Sequence, residues 1–526
     1  MINLLETPIP APTLEWMLLA PLFVLLGVGA LGVLLEGVLP RGTRHVVQAS
    51  LAALGILVAL GLTILNWIQE APSLAAMGLL AIDGPAYEFW TLILVVGLGG
   101  VALFAERRVA GDLSAFASSA ATVPGSPLER EADRLRREHT EIFPLLVFAL
   151  FGMLLFASTN NLLVLFVAVE IFSLPLYLLT GMARRRRLLS QEAALKYFLL
   201  GSVASAIMLY GVAMLYGYSG SLALAGVADA ISAGSGSKWL LLGGMLLTSV
   251  GVLFKIGAVP FHAWTPDAYM GAPTPVTGFM AVATKTAAVA ALMRVFYVAL
   301  GGLAWDWQLL FSVVAVITML VGATAALAQT DIKRLLAYSS IAHAGFILVG
   351  VVGAVQAGEN VSISSVAAVA FYLLTYGVAT LGAFAIVMMV RRAGGEANGL
   401  DAWRGLGKRN PVIAVLMTLF MLSFAGIPLT AGFIGKLAVF ASAWEGGYGW
   451  LVLVAVVMSV IAAFFYLKVV VAMWFQDEDD ETVGTVETPS IWTWIVLAVA
   501  ALATLVLGIV PGAVLDLFAS AAQFIR

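Results

Sequence analysis

The stretch VGVLFKIGAVPFHAWTPDAY, residues 250–269, places a lysine in an apolar helix that is interrupted directly afterwards. Lys255 ends the apolar run, and Gly257 and Pro260 follow it. Proline removes a helical hydrogen bond and clashes with the preceding turn, so backbone carbonyls become free at membrane depth. Such a break is tolerated where it is buried or lines a wet cavity, so we expect a broken helix beside a buried basic group.

A second stretch, SFAGIPLTAGFIGKL at residues 423–437, has the same features in another order. Here Gly426 and Pro428 precede Lys436. Since one lysine precedes its break and the other follows it, the pattern predicts two five-helix units of opposite topology. Paired interrupted helices of this kind indicate an ion path in transporter-like folds. A single Gly-Pro kink is more often structural, but the repeated coupling to a lysine favours function.

Composition restricts the class of protein. Of the 526 residues, 62% are hydrophobic and 11% are charged, which is typical of a polytopic membrane protein. The runs are continuously apolar for about 20 residues, so the spans are predicted to be helices and the fold class all-α. The absence of cysteine excludes disulfides, iron–sulfur ligation and thiol catalysis. No nucleotide fingerprint or metal-ligand cluster is visible, and we expect a lipid bilayer as partner and no nucleic acid.

The apolar runs predict about fourteen membrane helices. They are expected near 16–38, 46–67, 88–105, 142–158, 161–182, 192–217, 239–257, 275–300, 308–328, 333–353, 365–391, 411–442, 449–475 and 490–515. The predicted parts are three N-terminal helices (1–105), a charged connector (106–141), two five-helix repeats (142–300 and 308–475), and an acidic connector with the last helix (476–526).

Basic residues are concentrated in the connectors that follow odd-numbered helices, as in the run Arg184–Arg187. The positive-inside rule therefore places these connectors in the cytoplasm and both termini on the outer face. The acidic run at 477–481 falls on the cytoplasmic side. Within the charged connector, LEREADRLRREHTE (128–141) is expected to form a short helix, either as a solvated link or as a docking site for a neighbouring subunit.

Charged residues within the apolar runs are the candidate site. A charge at the bilayer centre costs roughly 2.5–3.5 kcal/mol on the lenient insertion scale, so such groups normally face a protein interior or a wet cavity. Desolvation penalises the ammonium form of lysine and a nearby carboxylate restores it, so Glu170 and Lys255 could form a proton-releasing switch. The five candidates are Glu170, Lys196, Lys255, Lys285 and Lys436.

Two histidines, together with Lys196 from the five candidates, are possible proton relays. His262 follows the first break, and His343 lies in AYSSIAHAGF; each is equally well explained as a packing histidine. Lys196 lies one turn from Glu192 and near the arginine run, which predicts a position closer to the surface. Arg294 and Lys468 are expected to pair structurally or to reach an interface.

Three strings occurring together resemble one known family. They are FKIGAVPFHAWTPDAYMGAPTPVTGFMAVATKTAA (254–288), DIKRLLAYSSIAHAGF (331–346) and LSFAGIPLTAGFIGKL (422–437). They are similar to the antiporter-like membrane subunits of respiratory complex I, the proton-pumping NADH:quinone oxidoreductase. The form WTPDAYMGAPTPVTGF is most similar to the N-type members, called subunit 2 in mitochondria. The resemblance covers roughly residues 140–470.

The resemblance implies a fourteen-helix fold and a role in coupling redox chemistry to proton pumping. The family's glutamate on helix five corresponds to Glu170, and its lysines on helices seven, eight and twelve to Lys255, Lys285 and Lys436. It also implies that quinone, NADH, FMN and iron–sulfur clusters belong to partner subunits. Expected partners are a neighbouring antiporter-like subunit and small membrane subunits, in a bacterial inner membrane.

Two alternatives remain open at this point. The chain could be the large subunit of a multisubunit cation/proton antiporter, or a membrane subunit of a proton-pumping hydrogenase. The large antiporter subunits would share this fold and these lysines. The string YMGAPTPVTGF favours the oxidoreductase.

Overall fold

The computed structural model describes residues 14–119, 122–135, 138–234, 236–354, 364–392, 395–478 and 483–526. Across these ranges the protein is mainly α-helical, which confirms the predicted fold class. The helices are α1 (Trp16–Val38), α2 (Arg41–Gln69), α3 (Gly84–Phe104), α4 (Pro127–Arg134), α5 (Ile142–Ser158), α6 (Leu162–Thr180), α7 (Arg187–Ser219), α8 (Leu224–Ala233), α9 (Lys238–Ile256), α10 (Trp264–Gly271), α11 (Thr274–Arg294), α12 (Ala304–Leu327), α13 (Ile332–Val352), α14 (Ser365–Met389), α15 (Leu406–Arg409), α16 (Pro411–Ala425), α17 (Ala431–Glu445), α18 (Gly449–Phe475), α19 (Ile491–Ile509) and α20 (Gly512–Ala521).

Two small sheets lie outside the helices. Strands β1 (Ser73–Ala75) and β2 (Leu80–Ile82) form an antiparallel hairpin in which Leu74 faces Ala81. The second sheet has the order β4-β3-β5, from β3 (Val390–Arg392), β4 (Gly395–Glu396) and β5 (Thr485–Val486). Short 3₁₀ turns cover Arg108–Ala110, Gly301–Leu303 and Leu400–Trp403, and a π-helical turn covers Val295–Ala299.

Twelve helices in the described ranges are long and apolar enough to cross a membrane. The predicted count of fourteen is not confirmed. The fourth predicted span is the 17-residue helix α5, and the twelfth is divided into α16 and α17, of 15 residues each. Helix α8 was not predicted; it lies between the sixth and seventh predicted spans. The division into an N-terminal part and two repeats remains a prediction.

Burial distinguishes central helices from peripheral ones. The apolar segment of α11 is 100% buried, whereas that of α2 is 33% buried. Helices α13 and α14 are almost as enclosed as α11, and both pack against neighbours on several sides. Apolar side chains on the peripheral helices can face lipid at little cost, because lipid tails are as apolar as leucine. Charged groups on the central helices therefore lie deep inside the protein.

Both predicted interruptions are present, and their backbones are alike. Gly257 ends α9 with φ +80° and Gly426 ends α16 with φ +80°. The amide of Gly257 donates to the carbonyls of Leu253 and Phe254 at 3.0 and 3.1 Å, which closes the last turn. This left-handed conformation is accessible to glycine at little steric cost, so glycine is the residue expected at such a helix end.

The charged connector forms less helix than predicted. Helix α4 covers Pro127–Arg134, and the hydroxyl of Ser126 accepts the amide of Glu129 at 3.3 Å. Residues 136–137 lie outside the described ranges. Of the acidic run at 477–481, only Asp477 and Glu478 are described. They pair with Lys408 at 3.1 Å and Arg409 at 3.2 Å.

Candidate functional site

Lys255 occupies an aromatic cage at the end of α9. The residue is 2% exposed, and its Nζ lies 5.3 to 5.5 Å from four ring centroids. Its Nζ donates to the hydroxyl of Tyr177 at 3.3 Å. Aromatic faces attract a cation electrostatically, so the cage partly replaces lost hydration. The four rings are Phe172, Tyr177, Tyr197 and Phe254.

Glu170 does not touch Lys255. It lies on α6, and one carboxylate oxygen is buried without a hydrogen-bond partner among the described residues. Tyr177, two turns further along α6, accepts the hydrogen bond from Lys255. In this structure the hydroxyl of Tyr177, not the carboxylate of Glu170, lies beside the ammonium, and the Glu170–Lys255 switch stays a prediction.

Lys285 lies on the fully buried helix α11. Its Nζ donates to the carbonyl of Ser340, and to the Ser340 hydroxyl at 2.7 Å. The Tyr376 ring is 5.2 Å from the same Nζ. Ser340 also contacts the hydroxyl of Tyr269 at 3.2 Å. Because Tyr269 belongs to α10, Ser340 connects the lysine to the segment that follows the first break.

His343 lies one turn beyond Ser340 on α13. Its Nδ1 is 2.6 Å from the hydroxyl of Tyr372, and its Nε2 is 3.0 Å from that of Tyr466. Its ring centroid is 4.8 Å from that of Tyr376, which also faces Lys285. A cavity beside it has about 10 Å³ of room for the centre of a water molecule, close to what one water needs.

Lys436 caps the helix end at the second break. Its Nζ donates to the carbonyls of Phe424 and Ala425 at 2.9 Å each, and to the hydroxyl of Ser459 at 2.8 Å. The last carbonyls of a helix have no intrahelical donor and carry partial negative charge. The ammonium supplies the missing donor, so each of its three hydrogens has an oxygen acceptor.

Three of the predicted groups are gathered into one polar cluster. Lys285 and His343 share the ring of Tyr376, and His343 packs on Phe424, whose carbonyl accepts from Lys436. Hydroxyl groups can both donate and accept, so they can pass a proton between neighbouring basic groups. The arrangement is suited to reversible proton transfer.

Two predicted relays lie apart from this cluster. The Lys196 side chain is 46% exposed and pairs with Glu192 at 2.7 Å and Asp267 at 2.9 Å. This agrees with the expected position closer to the surface. His262 lies in the turn between α9 and α10 and is partly buried, and its Nδ1 has no partner in the described part of the chain.

The sequence interpretation missed several buried charged groups. Glu88 on α3 is 0% exposed, and neither carboxylate oxygen has a partner among the described residues. Arg294 was expected to pair structurally, and it does so with Asp83, which was not foreseen, at 2.6 Å. Lys333 was not among the candidates, yet it is 1% exposed and donates to the carbonyl of Ala272 at 2.9 Å.

The positions of Asp83 and Glu88 could have been predicted from the sequence. Asp83 precedes Gly84 and Pro85, the combination expected at a helix start, and its Oδ1 accepts the amide of Ala86 at 3.0 Å. The third helix was predicted to begin near residue 88, which places Glu88 at the very start of that helix. A start at Gly84 would have placed Glu88 inside the helix. Lys333 follows Asp331, which caps α13, so its burial was not indicated.

Comparison with known proteins gives the family. Residues 159–462 match the family described as "NADH:quinone oxidoreductase/Mrp antiporter, TM". The NADH-quinone oxidoreductase subunit N of Cutibacterium acnes is 53% identical, with 98% of this chain and 97% of that protein covered. The chain belongs to this oxidoreductase and antiporter family. The resemblance carried by the three strings is confirmed.

Two solved structures share the fold of this chain. A chain of respiratory complex I from Thermus thermophilus with bound aureothin is 34% identical and has a TM-score of 0.76, covering 95% of this chain and 100% of that one. A chain of the Mrp complex from Dietzia sp. DQ12-45-1b has a TM-score of 0.78 at 21% identity, with 96% of this chain and 97% of that chain covered. The second likeness concerns the fold alone.

Proposed function

We propose that this chain is an N-type membrane-arm subunit of a bacterial NADH:quinone oxidoreductase and that it moves protons across the membrane. The observation that carries the proposal is the 53% identity to subunit N of C. acnes over nearly all of both chains. NADH, FMN, iron–sulfur clusters and quinone belong to partner subunits. This chain contributes to the enzyme as a translocating subunit and holds no redox site.

The chain lies in the bacterial plasma membrane beside a neighbouring antiporter-like subunit and small membrane subunits. Both termini are on the outer face. The concentration of arginine and lysine in alternate connectors supports this orientation, since such residues are retained in the cytoplasm. Residues 142–300 and 308–475 form the two inverted repeats, and each contains one interrupted helix.

Glu170, Lys255, Lys285 and Lys436 carry the proton-transfer steps, with His343 as a relay. Lys285 and Lys436 each have oxygen acceptors at their Nζ, so both can hold a proton inside the protein. Movement of the acidic side chain of Glu170 towards or away from the Lys255 cage would change the electrostatic energy of that ammonium. A proton released there can pass through hydroxyl groups and ordered water to the next base.

The first prediction compares two lysines of the same helix, α9. We expect Lys255→Met to lower the rate of NADH-driven proton translocation by about 10-fold or more, because a positioned acid–base group typically contributes at least that much to a rate. Lys238→Met is the control, since Lys238 is exposed at the start of α9. The measurement is NADH-driven acidification in vesicles that contain the assembled complex, with the amount of complex checked on native gels.

Normal proton translocation in an assembled Lys255→Met complex would show that the lysine takes no part in the mechanism.

The assignment to the oxidoreductase is tested by a second experiment. Gentle solubilisation of the membrane should recover this chain together with flavin and iron–sulfur subunits. Recovery without them, combined with sodium/proton exchange by the chain alone, would instead identify an antiporter subunit.

A further inference from the structure

A large basic cavity lies where the two halves of the sequence meet at the predicted cytoplasmic face. Its volume is about 680 Å³, within the range of ligand pockets. Its walls carry two carboxylates, Asp133 and Glu396, and six cationic side chains, a balance of four positive charges. The cationic side chains are Arg184, Arg185, Arg186, Lys333, Arg391 and Arg392.

Separate parts of the chain hold these charges in place. Arg184 donates to Asp133 at 2.9 Å and to the carbonyl of Ser114 at 2.8 Å. Lys333 donates to the carbonyl of Ala272 at 2.9 Å and lies 3.5 Å from Glu396. The contacts link the charged connector, the end of α10, the start of α13 and strand β4. The cavity is therefore built by the fold, because no single flexible loop supplies its walls.

The backbone adds further positive potential. Arg186 stands before the first residue of α7 with φ +56°, in the left-handed region that non-glycine residues rarely adopt. The side chain of Arg186 does not accept a hydrogen bond from the amide groups at the start of this 33-residue helix, so these amides have no side-chain cap from it. The positive end of the helix thus adds to the arginine charges.

The arginines repel one another. The pKa of Arg391 is lowered by burial and by the nearby charge of Arg185, against the opposing effect of Glu396. Burial and the positive charge of Arg185 lower the pKa of Arg184, whereas the carboxylate of Asp133 raises this pKa. All three lie outside the membrane-spanning helices. An anion placed among them would relieve this repulsion.

We propose that the basic cavity binds a phosphate-bearing anion, in the first place the headgroup of an acidic phospholipid of the cytoplasmic leaflet. Guanidinium groups match phosphate oxygens in a planar, two-bonded geometry that lysine does not provide. Basic pockets between membrane helices on the cytoplasmic side are suited to such headgroups. A free phosphate compound presents the same chemistry and is the other source. This inference concerns a ligand site and does not depend on the proton-transfer residues.

The test uses the whole complex that contains this chain, stripped of lipid in detergent. Dioleoyl phosphatidylglycerol, dioleoyl phosphatidylcholine and inorganic phosphate are each titrated, and binding is followed by native mass spectrometry. The variant Arg185→Gln/Arg186→Gln removes two exposed cavity charges. Arg41→Gln/Arg108→Gln is the control, because both residues are exposed, lie on the same predicted face and are outside the cavity.

We expect phosphatidylglycerol to bind the wild-type and control complexes and to bind the cavity variant about 25-fold more weakly, since each of the two surface arginines raises the affinity for acidic lipid about 5-fold. Phosphatidylcholine should bind the wild-type, control and cavity-variant complexes equally. Cavity-dependent binding of inorganic phosphate without cavity-dependent lipid binding would support the free-phosphate source.

Equal binding of both anions to the wild-type and cavity-variant complexes would overturn the proposal. If the glutamine variant does not assemble, Arg185→Lys/Arg186→Lys replaces it, because it keeps the charge and loses the two-bonded geometry. That variant should bind phosphatidylglycerol more weakly than the wild type. Unchanged affinity in it would equally count against the site.

Discussion

His343 is the residue at which polar contacts from α13, α14 and α18 converge. Each ring nitrogen meets the hydroxyl of a tyrosine, Tyr372 at 2.6 Å and Tyr466 at 3.0 Å. The Tyr466 hydroxyl also contacts that of Ser339. An imidazole can exchange a proton at either nitrogen, and a hydroxyl can accept or donate one. The histidine is thus placed to relay protons within the buried cluster.

Two substitutions separate a relay from a packing role. We expect both His343→Gln and His343→Phe to lower NADH-driven proton translocation by about 10-fold or more, since neither side chain can carry the proton. Only the phenylalanine should also destabilise the protein, by about 1–3 kcal/mol, because it removes a partner from buried hydroxyls. Translocation in vesicles and thermal unfolding measure the two effects. Full proton translocation by the glutamine variant would show that His343 supports the cluster by hydrogen bonds and does not relay protons.

The buried lysines were predictable from the sequence, but their acceptors were not. A lysine within an apolar run is visible by itself, as with Lys285 and Lys436. Its partner is not, because Ser340 lies 55 positions from Lys285 and a serine in a membrane helix gives no periodic signal. The same limit applies to Lys255, because its cage of aromatic rings depends on the packing of α6, α7 and α9.

At the scale of the elements, the two broken helices place lysines beside free helix ends in different ways. The break after α16 leaves carbonyls that Lys436 caps directly. After α9, the indole of Trp264 donates to the carbonyl of Phe254 at 2.9 Å, and Lys255 turns into the aromatic cage. Glycine and proline signalled both breaks. The residues that cap the two helix ends could not be predicted, because capping depends on which side chains of the following half-helix lie beside the free carbonyls.

Gly426 offers a test of the second break. Its φ is +80°, and an added Cβ would lie 2.9 Å from Cδ of Lys436 and 3.2 Å from its Nζ. Gly447 has φ +84° with nothing within 4 Å of the added carbon. We expect Gly426→Ala and Gly447→Ala each to cost about 1–2 kcal/mol of backbone strain. Only the first should also lower proton translocation, because it displaces the ammonium.

Thermal unfolding and vesicle acidification measured on both alanine variants provide the comparison. An equal loss of translocation in the two would mean that backbone strain alone is responsible. The position of Lys436 against the helix end would then have no special part in the mechanism.

At the scale of the whole molecule, one buried ion pair connects segments from opposite ends of the chain. Arg294 of α11 binds both carboxylate oxygens of Asp83 at 2.6 and 2.9 Å. Asp83 also caps α3 and accepts the amide of Ile525 at 3.1 Å. Arg294 further donates to the carbonyl of Ala157 at 3.2 Å. The first helices, the buried α11 and the C-terminal segment therefore share a single polar junction.

The junction should stabilise the assembled fold rather than carry protons. We expect Asp83→Asn to destabilise the chain by about 3–5 kcal/mol, because it leaves a buried guanidinium without its counter-charge. Asp477→Asn is the matched control: its pair with Lys408 is exposed, so it should have no measurable effect. The double variant Asp83→Asn/Arg294→Met should recover much of the loss, since it removes both charges together. Chain abundance in the membrane and thermal unfolding measure these differences. Equal stability of the Asp83→Asn and Asp477→Asn proteins would show that the junction is not what holds the two ends together.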